Sequence, residues 1–181
     1  MAINNDDSVG VEPAPANPWL FWGIIVLVLA LDFVTKAMAV DGLLPQHTPH
    51  EILGDYLRLT LVYNPGAAFG LNLGPMSRWI FMALSAVALV ILGRLYRVTK
   101  EGDYLRTLAL GLVCGGAAGN LIDRLRSWMG VVDFIDVGVG VHRWPTFNVA
   151  DMAVSTGAVL LAWVLLQEDR MVSKAVAAGE R

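Results

Sequence analysis

The most regular feature of the sequence is a series of four apolar stretches, at residues 19–40, 75–96, 104–123 and 149–167. An α-helix needs about 20 apolar residues to cross the hydrocarbon core of a bilayer, and each stretch has that length. Polar residues interrupt the first stretch only near its end, at Asp32, Thr35 and Lys36. The pattern therefore predicts four transmembrane helices.

The first apolar stretch has an alternative interpretation as a cleaved signal peptide, because residues 37–39 (Ala-Met-Ala) are similar to a cleavage site. Residues 1–17 contain no Lys or Arg, however, and Asp32 and Lys36 interrupt the end of the apolar run, so a retained helix is favoured. The first 17 residues are polar, acidic and rich in Pro and Ala, which is typical of a disordered tail. The predicted organisation is an N-terminal tail at 1–17, a four-helix domain at 18–169 and a C-terminal tail at 170–181.

Two of the connections between the spans carry the pattern of β-strands. Residues 56–63 alternate and are rich in β-formers, and residues 131–141 are rich in Val. They lie in the long connections 41–74 and 124–147, which both fall on the same side of a four-span protein. We expect the two strands to pair there, so the predicted fold class is an all-α integral membrane protein with four transmembrane helices and a small extracytoplasmic β-sheet.

The distribution of basic residues predicts the orientation in the membrane. The short connection between the second and third spans contains Arg94, Arg97, Lys100 and Arg106. Loops rich in Lys and Arg stay in the cytoplasm, so this loop and both termini are predicted to be cytoplasmic. The two long connections then lie outside.

Composition supports a membrane protein and excludes several other classes. Hydrophobic residues make up 56% of the chain and charged residues 16%, and the mean hydropathy is +0.57. Soluble domains have about 25% charged residues, so part of this apolar surface must face lipid. The net charge of -3 and the lack of a basic run argue against a nucleic-acid partner. The one cysteine, Cys114, lies in an apolar stretch and is expected to be an inert, packed thiol.

Polar residues at membrane depth are the first candidates for a functional site, because each charge costs about 2.5–3.5 kcal/mol on insertion scales. Residues three or four apart share a helix face, as do Asp32 with Lys36, Asn120 with Asp123 and Asn148 with Asp151. In the predicted orientation, all of these residues lie near the outer ends of their helices. The same side of the membrane also holds Asn64, Arg124, Asp133 and Asp136.

A plainer interpretation is that these residues are helix caps and salt bridges. Asn148 would then be an N-cap, Asp32 would pair with Lys36, and Asp123 would pair with Arg124 or Arg126. That interpretation leaves a surplus of carboxylates over nearby bases unexplained.

The chemistry available at this level is mainly that of carboxylates. The histidines (His47, His50 and His142) are all in connections, no serine occupies an obvious nucleophile turn, and neither a His/Cys metal site nor a phosphate loop is present. Two carboxylates that share a proton can activate water against an amide, as in aspartic proteases. The residues alone leave open which two form the pair among Asp32, Asp123, Asp133, Asp136 and Asp151.

Five motifs, in order, resemble those of the lipoprotein signal peptidase (signal peptidase II) family. They are DFVTK at 32–36, YNPGAAFG at 63–70, GGAAGNLIDR at 115–124, VVDFI at 131–135 and FNVAD at 147–151. The resemblance covers about residues 19–168. One departure is Phe33, where the family usually has Gln; the position is not catalytic in the family.

This resemblance implies an aspartic endopeptidase of the bacterial inner membrane that cuts the signal peptide from prolipoproteins just before the diacylglyceryl-modified cysteine. It implies that Asp133 and Asp151 are the catalytic pair and that the small sheet forms a cradle on the periplasmic face, next to the active site. Other matching positions would shape or support the site: Asp32, Lys36, Asn64, Gly66, Asn120, Asp123, Arg124 and Asn148. No metal or cofactor is implied, the partners are lipidated substrates and membrane lipid, and we expect a monomer.

Two other classes of function remain open at this stage. A small transporter or proton channel also places charges among helices, but it needs them near the middle of the membrane. A non-catalytic scaffold needs only the packing glycines at 115–119, which are typical of close helix contacts in lipid.

Overall fold

The computed structural model describes residues 17–68, 71–72 and 74–179. Apart from Asn17, the predicted N-terminal tail lies outside the described residues. The helices are α1 (Pro18–Gly42), α2 (Ser77–Arg97), α3 (Tyr104–Arg126) and α4 (Val149–Gly179). All four are long and apolar enough to cross a membrane, which confirms the four predicted spans.

The helix α3 is the centre of the bundle, because its glycines let two neighbours approach closely. Gly115 faces α1, where an added Cβ would lie 2.9 Å from the Val28 side chain. Gly116 faces α4, and an added Cβ there would overlap the backbone carbonyl of Ala150. Small residues are the usual means of close helix packing in lipid, so the stretch at 115–119 acts as predicted.

A small antiparallel sheet covers one end of the bundle. The strands are β1 (His50–Leu53), β2 (Leu57–Asn64), β3 (Ala67–Ala68), β4 (Leu71–Asn72), β5 (Val131–Val139) and β6 (His142–Arg143). The order in the sheet is β1-β2-β5-β6, and β3 and β4 form a separate two-stranded ribbon. The pairing of β2 with β5 confirms the predicted pairing of the two long connections.

Apolar side chains fix the sheet on the end of α1. Ala39 of α1 and Leu43, which follows the end of that helix, form one buried cluster with Leu61 of β2 and with Val132 and Phe134 of β5. Burial of apolar area is the main stabilising term of such a contact. The sheet therefore sits where α1 and α3 end and where α4 begins.

The helix α4 is longer than the fourth apolar stretch. The span was predicted to end at residue 167 and to be followed by a tail, but the helix continues to Gly179. Residues 168–178 contain neither Pro nor Gly, and Ala, Lys, Glu, Met and Arg are good helix formers. The side chain of Glu168 forms a salt bridge with Arg106 of α3, which ties the two helices together at this end.

Candidate active site

A cleft of about 800 Å³ opens where the sheet meets the ends of α3 and α4. Its polar lining comes from Asn64 on β2, Asn120 and Arg124 on α3, Asp133 on β5 and Asp151 on α4. Apolar and small residues complete the walls, among them Val62, Trp144, Phe147, Met152 and Val154. The cleft thus combines two carboxylates with an apolar wall.

Asp133 lies in the central strand β5 and is 2% exposed. The pairing of β2 with β5 places Val62 opposite Asp133, so Asn64 is two residues along the neighbouring strand. Its side-chain Nδ2 donates a hydrogen bond to Asp133 Oδ2 at 3.0 Å. The Nδ2 of Asn148 donates to the other oxygen, Oδ1, at 2.7 Å. Both oxygens of Asp133 are therefore held by amides.

Asp151 occupies the first turn of α4, three residues after Asn148. The Oδ1 of Asn148 accepts from the Asp151 backbone N–H at 2.9 Å, and Asp151 Oδ2 accepts from the Asn148 backbone N–H at 3.3 Å. This reciprocal pair is a capping box, which satisfies two helix-end donors at once. The other oxygen, Asp151 Oδ1, accepts from Asn120 Nδ2 at 2.7 Å.

Asn148 joins the two carboxylates. This residue is completely buried, and its amide contacts Asp133 through Nδ2 and the Asp151 backbone through Oδ1. The same Nδ2 also donates to Asn120 Oδ1 at 3.1 Å. The plain interpretation of Asn148 as an N-cap is thus correct, and the cap also connects the candidate catalytic pair.

A buried ion cluster supports the cleft from the side of α1. The ammonium group of Lys36 lies 2.7 Å from Asp32 Oδ2 and 2.8 Å from Asp123 Oδ2. It also donates to Asn120 Oδ1 at 3.0 Å. Asp32 Oδ1 accepts from the backbone N–H of Ala150, which ties α1 to the start of α4.

The expected pairing of Asp123 with Arg124 or Arg126 is wrong. Asp123 pairs with Lys36, whereas Arg124 Nη1 donates to the Asn120 backbone carbonyl at 3.1 Å. The guanidinium of Arg126 lies 5.5 Å from the centre of the exposed Phe33 ring. Arg124 directly follows Asp123 and therefore points in another direction, whereas Arg126 lies three residues on but has its guanidinium over Phe33.

Asp136 belongs to a different cluster at the far end of the sheet. It accepts hydrogen bonds from Arg143 Nε, Thr60 Oγ1 and Arg58 Nε at 2.8, 3.1 and 3.2 Å. Burial alone would raise the pKa of Asp136, but these donors outweigh it and hold the pKa below the usual range. An ionised carboxylate paired with two arginines is suited to fixing β5 and β6 in register.

Asp133 has the opposite electrostatic environment. Burial, and then the nearby charge of Asp151, raise its pKa to about 7, against the weaker opposing effect of its amide donors. A carboxyl that holds its proton near neutral pH can donate a hydrogen bond to a substrate carbonyl.

The structure brings all ten residues named by the motifs to this end of the bundle. Gly66 lies close to Asn64 with φ +122°, a conformation that favours glycine, and its N–H donates to Asn64 Oδ1 at 3.1 Å.

Arg78 is a further residue that no motif identified, and its Nε donates to the Arg124 backbone carbonyl at 2.8 Å. The apolar lining from Trp144 was also missed, because a single aromatic residue in a loop carries no distinctive pattern.

Comparison with known proteins places the chain in one family. Residues 24–167 match the family model described as signal peptidase (SPase) II. The lipoprotein signal peptidase of Burkholderia thailandensis is 41% identical over 160 residues, which are 84% of this chain and 90% of that protein. The lipoprotein signal peptidase of Moorella thermoacetica is 40% identical over 143 residues, which are 79% of this chain and 90% of that one.

Solved structures agree with this placement. A bacterial membrane enzyme determined by the in meso method at 2.3 Å resolution is 27% identical, with a TM-score of 0.76 over 86% of this chain and 93% of that one. A second bacterial membrane enzyme, determined by the same method at 1.9 Å, is 28% identical, with a TM-score of 0.73 over 84% of this chain and 96% of that one. The fold is therefore that of a multi-pass bacterial membrane protein, and the chain belongs to the signal peptidase II family.

Proposed function

We propose that this protein is an aspartic endopeptidase that removes signal peptides from diacylglyceryl-modified prolipoproteins by cutting just before the lipidated cysteine. Membership of the signal peptidase II family makes it a protease. The observation that carries the aspartic mechanism is the shared amide of Asn148, which joins Asp133 to Asp151. Of the five candidate carboxylates, Asp32, Asp123 and Asp136 are salt-bridged to basic side chains, whereas the described donors to Asp133 and Asp151 are all amides.

The proposed mechanism uses one ionised and one protonated carboxyl. The ionised carboxylate takes a proton from a water molecule, whose oxygen attacks the scissile carbonyl, while the protonated carboxyl donates to the carbonyl oxygen. The tetrahedral intermediate collapses when the carboxyl that took the water proton passes it to the leaving nitrogen and the carbon–nitrogen bond breaks. A hydroxyl proton of the intermediate returns to the other carboxylate, which restores the starting state of the pair. Preorganised donors around both carboxyls hold them in place without reorganisation during the reaction.

The cleft is suited to a substrate that is part peptide and part lipid. Its lining continues along α4 through Met152, Val154, Ser155 and Thr156, which belong to the membrane-spanning part of that helix. The acyl chains of the modified cysteine can then stay in lipid while the peptide bond reaches Asp133. The position of the carboxylates at the ends of the spans gives access to water and disfavours a transporter, which needs its charges near mid-membrane.

We also propose that the enzyme works as a monomer in the bacterial inner membrane, with the cleft near the periplasmic face. Asp133 and Asp151 are joined by Asn148 within one chain, so the proposed pair needs no residue from a second copy. The basic connection between α2 and α3 lies at the opposite end of the bundle from the sheet, which supports a cytoplasmic location for that loop.

The experiment that tests this function is cleavage of a diacylglyceryl-modified prolipoprotein by the purified protein. The same precursor without the lipid is the matched control. We expect a single cut before the lipidated cysteine and no cut in the unmodified precursor. Failure to cut the modified precursor, or equal cutting of both, would contradict the proposed function.

A further inference from the structure

We propose that Lys36 is a positioning residue for the reaction: it holds the Asn120 amide with its NH₂ group toward Asp151, which makes Asp151 the ionised member of the pair and leaves the proton on Asp133. This inference rests on the proposed function, because it assigns roles within the same pair. The orientation of each buried amide follows from neighbouring groups that can donate a hydrogen bond but cannot accept one.

Lys36 and Asn148 together fix the orientation of the Asn120 amide. An ammonium group donates hydrogen bonds and cannot accept them, so the atom that faces it at 3.0 Å must be the amide oxygen. The NH₂ group of Asn148 faces the same oxygen at 3.1 Å and has the same requirement. The NH₂ group of Asn120 is therefore left to donate to Asp151 Oδ1 at 2.7 Å. Rotation of this amide by half a turn would place its donors against two other donors.

The other two amides at the site are oriented in the same way. The oxygen of Asn148 accepts from the Asp151 backbone N–H, and the oxygen of Asn64 accepts from the Gly66 backbone N–H. A backbone N–H also only donates, so the NH₂ groups of both residues must point at Asp133. Lys36 differs from these two anchors because it carries a full charge, and it polarises Asn120 along the chain toward Asp151.

Several features favour the ionised form of Asp151. It lies in the first turn of α4, where the partial positive charge of the helix end stabilises an anion. It accepts one hydrogen bond from the polarised Asn120 amide and one from the Asn148 backbone. It is also more exposed than Asp133, so water in the cleft can reach it.

Asp133 has the environment of the protonated partner. It is 2% exposed and lies in a β-strand, so it is not itself part of the first turn of a helix as Asp151 is. Its pKa is raised to about 7, first by burial and then by the charge of Asp151. The other charged groups that face the pair are Lys36 on α1 and Asp123 and Arg124 on α3. Two adjacent carboxyls do not both ionise readily, so an ionised Asp151 keeps the proton on Asp133.

The effect of Lys36 is one of orientation rather than of net charge. The ammonium is paired with two carboxylates, Asp32 and Asp123, so the cluster carries more negative than positive charge. The net charge of this cluster would therefore not favour a negative charge on Asp151. The hydrogen bonds from Lys36 to Asn120 and from Asn120 to Asp151 are what distinguish Asp151 from Asp133.

The test is the pH dependence of kcat/KM on diacylglyceryl-modified precursor. The acidic limb of a bell-shaped profile reports the group that must be ionised, and the alkaline limb reports the group that must be protonated. The double variant Lys36→Met/Asp123→Asn removes one positive and one negative charge, so the net charge of the cluster is unchanged. We expect its acidic limb to move upward by up to about one pH unit, because the hydrogen bond from Asn120 to Asp151 loses the charge that polarises it, with KM unchanged.

Asp123→Asn alone is the matched control. It removes the contact of Lys36 with Asp123 and leaves the ammonium on Asp32 and Asn120, so we expect no upward shift of the acidic limb. Asn64→Leu removes a donor from Asp133 and is expected to move the alkaline limb only. An acidic limb in the double variant that coincides with the wild type, or a shift of the alkaline limb instead, overturns the inference.

A second variant covers the case in which the double variant does not fold. Asn120→Asp keeps an oxygen for Lys36 and for Asn148 but places a carboxylate against Asp151, so the acidic limb must again move upward. An unchanged acidic limb in Asn120→Asp overturns the inference. A wild-type protein that does not cleave the modified precursor refutes the proposed function itself, whereas active enzyme with unmoved limbs refutes only the role of Lys36.

Discussion

Asn148 shows how much of this site depends on one side chain. Its oxygen caps α4 and its NH₂ group donates to Asp133, so the same amide begins a helix and holds a candidate catalytic carboxyl. These two roles use different atoms of the side chain. They can therefore be separated by substitutions that keep one atom and remove the other.

Asn148→Ser is expected to keep the fold and lose cleavage. A serine hydroxyl caps a helix about as well as asparagine but is too short to reach Asp133. Asn148→Ala is expected to lose both roles, with a cost of about 1 kcal/mol in stability from the missing cap. Thermal unfolding in detergent and cleavage of modified precursor measure the two roles, and full activity in Asn148→Ser would show that the contact with Asp133 is dispensable.

The raised pKa of Asp133 predicts a pH dependence of stability. The carboxyl has a pKa of about 7 in the folded protein and an ordinary value near 3.8 when unfolded, so the folded state binds the proton more tightly. Its contribution is fully present below the unfolded value and is lost as the pH rises through the folded value. The wild-type Tm should therefore fall between about pH 5 and about pH 8 more steeply than the Tm of Asp133→Asn. Equal slopes of Tm against pH in the wild type and in Asp133→Asn would contradict the raised pKa of Asp133.

At the scale of the elements, the site exists because three helix ends and two strands meet. The packing of α1 on α3 brings Lys36 to Asp123, and the close approach of α1 and α4 brings Asp32 to the backbone of Ala150. Gly119 makes room for this contact, since an added Cβ would lie 2.7 Å from Asp32 Oδ2. Helix packing and site geometry therefore depend on the same glycine.

Gly119→Ala is expected to lower both stability and activity. The methyl group would displace the Asp32 carboxylate, and overpacking of this kind costs about 1–3 kcal/mol. Gly93→Ala in α2 is the matched control, because nothing lies within 4 Å of an added Cβ there. That change should leave activity unaltered and stabilise the helix slightly. Equal behaviour of the two variants in Tm and cleavage would refute the packing role of Gly119.

At the scale of the whole molecule, the orientation in the membrane decides where the cleft opens. The charge of the connection between α2 and α3 predicts that this loop is cytoplasmic and that the sheet is periplasmic. A cysteine at the exposed position Glu51 should react with a membrane-impermeant thiol reagent from outside, and one at the exposed position Lys100 should not. Cys114 is buried and provides the unreactive background. The reverse labelling would place the site on the cytoplasmic side.

The sequence predicts the elements of this fold better than their contacts. Apolar length predicted the four spans, while alternation at 56–63 and richness in Val at 131–141 predicted the strands that pair as β2 and β5, because these signals are local. The partner of Asp123 could not be predicted, since Lys36 is distant in sequence and meets it only through the packing of α1 on α3. The residues alone left five carboxylates open, and the structure distinguishes them by their partners, which depend on long-range contacts.

The central claim is that Asp133 and Asp151 together perform the hydrolysis. The most direct test compares wild type, Asp133→Asn and Asp151→Asn for cleavage and for binding of diacylglyceryl-modified precursor. Asparagine is close to aspartate in size but cannot transfer a proton, so each variant should bind the precursor and lose about 10²–10⁴-fold or more in kcat. Because the two carboxyls act as a unit, the double variant should be no worse than either single one. Substantial turnover by either single variant would contradict the account.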